Sequence, residues 1–210
     1  MKIALVSDTH NMMDKVLPFV GEVDMFIHAG DFTNLGSREE VIKFSTQLRR
    51  VQAKYKIVIA GNHELILDGG MKAHLLLPKK TIYLENSGAI IEGLKIWGSP
   101  MTPRFFDWAF LRDRGKDIKR YWDIIPDDLD FLITHGPPHG VLDEPEPGLH
   151  VGCEELKKRV KKAMPKFHVF GHVHPSRGTV LYRSVMYMNV AAVNRLGYLR
   201  EDPVTFLELT

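Results

Sequence analysis

The chain has 210 residues, 44% of them hydrophobic, with eleven Phe, six Tyr and three Trp, enough for one sizeable core and a single domain over residues 1–210. A net charge of +2 gives no general argument for nucleic acid, and no apolar run approaches the ~18 residues a membrane helix needs. The lone cysteine, Cys153, excludes a disulfide framework; with an N-terminus that enters a strand-like run at once, it predicts a cytoplasmic protein.

Short apolar runs predict strands at Ile3–Val6, Met25–His28, Lys56–Ala60, Ile82–Leu84, Ala89–Ile91, Lys95–Trp97, Phe131–Thr134, Phe167–Phe170, Thr179–Tyr182, Met186–Val190 and Thr205–Leu209. Helical patterns lie between some of them. Ser37 followed by Glu40 is a capping box opening a helix to about Val51. Asp113–Trp122 and the run from Cys153 to Met164 are two further candidates. Early strand–helix alternation predicts parallel pairing, and the hairpin-like later runs predict antiparallel additions. A long Pro/Gly loop, "HGPPHGVLDEPEPGLHVG", follows Thr134, and loops of that length are often functional.

Metal-ligand residue types collect at five strand ends. "SDTH" gives Asp8 and His10, "AGDFTNLG" gives Asp31, "GNHE" gives Asn62 and His63, "THGPPHG" gives His135, and "GHVH" gives His172 and His174. In an extended chain, residues two apart share a face, so His172 and His174 point into the same space. Sites in open α/β sheets gather at the carboxyl ends of strands.

The ordered set D-x-H, G-D, G-N-H-[DE], a strand-end His followed by Gly, and G-H-x-H spans residues 8–174. It resembles the calcineurin-like metallophosphoesterases. "FIHAGDFTNLG", "KIVIAGNHEL", "THGPP" and "HVGCEEL" are similar to the small phosphodiesterase branch that includes the metallophosphoesterase-domain-containing proteins. The resemblance implies a four-layer α/β/β/α sandwich of two mixed β-sheets. It implies two divalent transition-metal ions, Mn first, with Fe, Zn or Co as alternatives, since mixed N/O ligation without thiolate suits these. Asp8, His10, Asp31 and His174 would hold one ion, and Asp31, Asn62, His135 and His172 the other, Asp31 giving one oxygen to each. His63 would act on the substrate.

The implied activity is in-line hydrolysis of a small phosphodiester, such as a 2′,3′- or 3′,5′-cyclic nucleotide, by a hydroxide that the ion pair generates. A nucleotide phosphomonoesterase is the alternative, and a non-catalytic scaffold is disfavoured by the intact ligand set. The arginines that protein phosphatases carry near "GD" and "GNHE" are missing, and Asn34 stands where purple acid phosphatases place a tyrosine. Asn11, Arg104 and His139 are candidates for touching substrate. The partner is a small phosphoester rather than a membrane or nucleic acid; a homodimer stays open. His28 and His168 read as buried, hydrogen-bonded residues, Cys153 as a helix-start residue, and the lysines after it as a solvated face.

Overall fold

The strands that carry the predicted site residues are buried on both faces near their carboxyl ends, as parallel strands covered from two sides must be. The computed structural model describes residues 1–209. In chain order its elements are β1 (Lys2–Val6), α1 (Met13–Val20), β2 (Glu22–Ala29), α2 (Arg38–Arg50), β3 (Gln52–Ile59), α3 (Leu65–Asp68), β4 (Thr81–Tyr83), β5 (Ser87–Ile91), β6 (Leu94–Ser99), β7 (Thr102–Pro103), β8 (Leu111–Arg112), α4 (Lys116–Asp123), β9 (Phe131–Thr134), α5 (Glu154–Ala163), β10 (Phe167–Phe170), β11 (Gly178–Tyr182), β12 (Val185–Asn189) and β13 (Thr205–Glu208).

Two mixed sheets result. The first has the order β13-β1-β2-β3-β4, parallel from β1 to β4, with β13 added antiparallel. The second has the order β11-β12-β10-β9-β6-β5, parallel in the middle and antiparallel at both edges. Strand alternation separates the layers. Ile3, Leu5, Ile27, Ile57, Phe131, Ile133 and Val169 form one apolar layer between the sheets. Their neighbours Ala4, Val6, Phe26, Leu132 and Phe170 face outward, where Val16, Phe44, Trp122, Leu156 and Val160 of the helices cover them. This is the expected four-layer sandwich.

The capping box opens α2: Ser37 Oγ accepts from Glu40 N at 3.2 Å and Glu40 Oε2 accepts from Ser37 N at 3.1 Å. Cys153 caps α5, its buried Sγ accepting from Leu156 N at 3.4 Å, and burial pushes the thiol up, away from a nucleophile. Several elements differ from expectation, among them α3 at Leu65–Asp68, which was not expected. α1 forms although Pro18 lies inside it, because Met13, Val16 and Val20 bury one face. α4 starts at Lys116, three residues late, because Gly115 at φ +78° sets its entry. The β7–β8 pair was too short to announce itself.

Candidate metal centre

Five parallel strands deliver the site to one edge, β1, β2 and β3 from the first sheet and β9 and β10 from the second. Pairing continues past the strands: Asp8 N donates to Gly30 O at 2.9 Å, His10 N to Asp31 O at 3.1 Å, and Gly171 N to His135 O at 2.9 Å. At the turn itself the backbone goes left-handed, with φ of +54° at Asp8, +39° at His10, +55° at Asp31 and +67° at His172. Such residues cost about 1–3 kcal/mol each and persist only where the surroundings enforce them. Gly61 has no room for a side chain, since a Cβ there would lie 2.3 Å from Asp31 Oδ1 and 2.6 Å from the His135 ring.

The donors fall into three overlapping groups within coordination reach: Asp8, His10 and His174; Asp31, His135 and His172; and His10, Asp31 and His63. His174 Nε2 stands 3.3 Å from Asp8 Oδ1, and His135 Nε2 stands 3.2 Å from Asp31 Oδ2 and 2.9 Å from Asn62 Oδ1. His10 Nε2 and His174 Nε2 face each other at 3.4 Å. The Asp31 oxygens are not equivalent. Oδ1 accepts from His63 N at 2.9 Å, so Oδ2 is the one turned toward His135 and, at 3.9 Å, His63 Nε2.

Hydrogen bonding sets the tautomers. His135 Nδ1 contacts Ala29 O at 3.0 Å, His10 Nδ1 contacts Thr33 O at 3.2 Å, and His63 Nδ1 contacts Asn34 O. A carbonyl only accepts, so each Nδ1 carries a proton, and Nε2 is the ring atom turned to the centre. At His135, Nε2 stands between two oxygens, Asp31 Oδ2 and Asn62 Oδ1. A cation belongs there, and the donor set fits divalent metal ions.

Charge tells the same story. Burial raises the Asp31 carboxyl, but the facing His135 outweighs it and holds it well below the usual carboxylate range. Burial likewise works against ionised Asp8, and the bond and charge of His174 reverse it. Burial lowers His135, yet Asp31 wins and lifts it to about 9, whereas burial takes His172 down to about 3.

A supporting layer surrounds the donors. Glu64, fully buried, accepts from Gly61 N at 2.6 Å, Asp31 N at 3.0 Å, Thr33 N at 2.9 Å and Thr33 Oγ1 at 2.7 Å, tying the loops after β2 and β3 together. Burial first, then Asp31, raises its carboxyl to about 7. Sequence reasoning gave Glu64 no role. His28 and His168 are buried and hydrogen-bonded as expected, to Thr9 Oγ1 at 3.0 Å and Thr134 Oγ1 at 2.8 Å. Thr134 spends its own proton on Gly136 O, at 2.7 Å, so His168 Nε2–H is the donor. Each of these threonines adjoins a predicted ligand.

Of the candidate substrate contacts, Asn11 lines the cleft, with its Nδ2 held by Glu40. Arg104 turns its guanidinium to Asp113 at 2.7 Å and to Leu111 O, outside the cleft lining. His139 packs on His150, centroids 5.4 Å apart, also outside that lining. Trp108 packs on His63 at 4.4 Å and Phe105 on His172 at 5.2 Å, so both flank the donors. The cleft measures about 710 Å³ and is lined by His10, Asn11, Met12, Asn34, His63, His174, Arg195, Leu196 and Gly197. The segment carrying Arg195 was not singled out from the sequence.

Two mixed sheets with clustered N/O donors at five strand ends define a metallophosphatase fold. Residues 1–176 match the calcineurin-like phosphoesterase family, and the chain belongs to it. It is similar to Metallophosphoesterase domain-containing protein 1 of Homo sapiens, 38% identical over 233 residues covering 99% of this chain and 71% of that protein. A UPF0046 protein of Caenorhabditis elegans is 36% identical over 221 residues, covering 98% and 74%. Among solved structures, phosphopantetheinyl hydrolase from Mycobacterium tuberculosis superposes with a TM-score of 0.66 at 14% identity, covering 98% of this chain and 95% of that one. An archaeal phosphodiesterase does so with a TM-score of 0.56 at 19% identity, covering 99% and 93%; at these identities the likeness shows the fold. Membership implies a phosphoric ester hydrolase working with divalent metal ions. Among the described residues no helix is long and apolar enough to cross a membrane.

Proposed function

We propose that the chain, as one domain over residues 1–210, is a binuclear metal-dependent phosphodiesterase acting on small phosphodiesters such as cyclic nucleotides. The observation that carries this reading is the convergence of Asp8, His10 and His174 and of Asp31, His135 and His172 at one edge, each group within coordination reach. Asp8, His10 and His174 hold one ion, and Asn62, His135 and His172 the other. Asp31 would be shared between the two ions, its Oδ2 turned toward His135 and its Oδ1 accepting from His63 N. A pair of divalent ions, Mn in our assignment, supplies charge neutralisation and hydroxide at neutral pH.

The chain's own residues do the rest. Two carboxylates against two divalent ions leave a positive core, which suits a monoanionic diester. His63 lies within coordination reach of His10 and Asp31, but we place it outside the ligand set because its Nε2 is 3.9 Å from the nearest carboxylate, where those of His135 and His174 are at 3.2 and 3.3 Å. Asn34 O and Trp108 fix its ring. With Nδ1 tied to Asn34 O, the proton it gives to the leaving oxygen, or with which it holds a phosphoryl oxygen, is the one on Nε2 of the imidazolium. A buried free thiol is in keeping with a cytoplasmic setting.

The test is a metal-supplemented assay over cyclic nucleotides and chromogenic mono- and diesters with one leaving group. Diesters should be turned over faster than the matched monoester. Faster monoester hydrolysis would favour the nucleotide phosphomonoesterase, and no turnover by folded, metal-loaded protein would contradict the hydrolase reading.

A further inference from the structure

The turn after β12 is fixed to the metal centre. Ala191 bridges Ser7, and Ala192 N donates to Ser7 O at 2.8 Å, beside Asp8. Val193 pairs with Leu199, Asn194 N donates to Tyr198 O at 2.8 Å, and Asn194 Oδ1 accepts from Leu196 N and Tyr198 N at 2.9 and 3.1 Å. Arg200 Nη2 donates to His174 O at 2.8 Å and its Nε to Val193 O at 3.1 Å. Arg195 therefore rises from a closed turn stapled to the backbone of a predicted ligand.

Arg195 lines the same cleft as His10, His63 and His174, at its border with the neighbouring pocket that Glu146 lines, and it is the one Lys or Arg among the described lining residues. The cleft, at about 710 Å³, is of the size that houses a whole small-molecule ligand, so substrate extends beyond the phosphoryl group toward this wall. Among the described residues the Arg195 guanidinium is held only by Glu146, at 2.7 Å, in a pair exposed at 63% and 59%. Exposed pairs of this kind are weak and exchange readily. A guanidinium fork matches a phosphate in two-pronged fashion.

We propose that Arg195 binds a second phosphate on the substrate, one beyond the ester being cleaved, exchanging Glu146 for it. The proposal rests on the phosphoesterase reading for where the first phosphate sits, but its test reads binding.

The experiment measures calorimetric Kd values of the metal-loaded protein for a nucleoside monophosphate, for the same nucleotide with a second phosphate on its other ribose oxygen, and for one with a hemisuccinate there. The bisphosphate should bind about ten- to a hundredfold tighter than the monophosphate, as one charge-assisted contact supplies. Arg195→Ala should close that gap, and Glu146→Gln should widen it. Equal affinities in the wild-type protein, a gap that survives Arg195→Ala, or a hemisuccinate that binds as tightly as the bisphosphate would overturn the proposal. An Arg195-dependent gap in a protein that hydrolyses no ester would uphold it while refuting the proposed function.

Discussion

Adding one methyl group at Gly171 should damage both folding and the first ion site. A Cβ at this position would lie 2.0 Å from Asp8 Oδ2, 2.3 Å from Ser7 Oγ and 2.6 Å from Ser7 Cβ. Ordinary contact begins near 3.4 Å, so a gap of about 1.4 Å must open. Ser7 and Asp8 are fully buried, with no solvent to retreat into. Both Asp8 oxygens also accept from His172 N, at 3.1 and 3.0 Å, and retreat breaks that contact. Overpacking a core costs about 1–3 kcal/mol, and a hydrogen bond to a charged group is worth about 1.5–3; the two overlap, so Gly171→Ala should cost about 2–5 kcal/mol. Urea unfolding in chelator measures the folding term, and metal titration measures the site. Gly178→Ala is the control, because a Cβ there meets only Leu142 Cδ2 at 3.6 Å. If the two variants unfold at the same midpoint and load the same metal, the packing argument fails.

Asp31→Ala should lower occupancy at both ion sites together, whereas His172→Ala should weaken mainly one; a titration showing Asp31→Ala with two normal sites would remove the bridging role. His63→Ala should keep its metal and fold but lose roughly 10²–10⁴ in rate, most for an alkoxide leaving group if His63 supplies the proton. Equal losses for alkyl and activated aryl esters would assign it to a phosphoryl oxygen instead, and loss of metal would make it a ligand. Burial pushes His168 down to about 3 from 6.5, so the folded chain keeps it neutral where the unfolded chain takes up a proton. Stability should therefore fall as pH drops below about 6.5, by up to about 1.4 kcal/mol per pH unit from this residue. His168→Gln, which still offers Thr134 a donor, should flatten the measured slope by one proton, and an unchanged slope would contradict the neutral assignment.

The donor residues were legible because each follows a strand whose apolar run is unmistakable, and His172 and His174 carry their spacing with them. The central strands were read to within a few residues, since burial on both faces leaves little ambiguity. What could not be read was the backbone at the turn. Nothing in "SDTH" or "GHVH" announces that Asp8, His10 and His172 go left-handed; only the packed strand ends enforce it. α1 was hidden by Pro18, although the Met13, Val16, Val20 spacing was present. Glu64 reads as an ordinary charge until the loops close around it. Arg104 shows the converse, a plausible phosphate contact by sequence that the fold gives to Asp113. Arg195 and Arg200 follow every motif in the chain, and the Ser7–Ala191 bridge, with the Arg200 bond to His174 O, brings their turn to the site.

The most direct test of a binuclear phosphoesterase joins elemental analysis to turnover on one sample. Chelated protein should contain no metal and hydrolyse no ester. Titration with Mn should restore hydrolysis in step with ion content, reaching full rate at about two ions per chain, and should raise the unfolding temperature by mass action. Hydrolysis that persists in protein shown to be free of metal, or full activity with a single ion bound, would contradict the account.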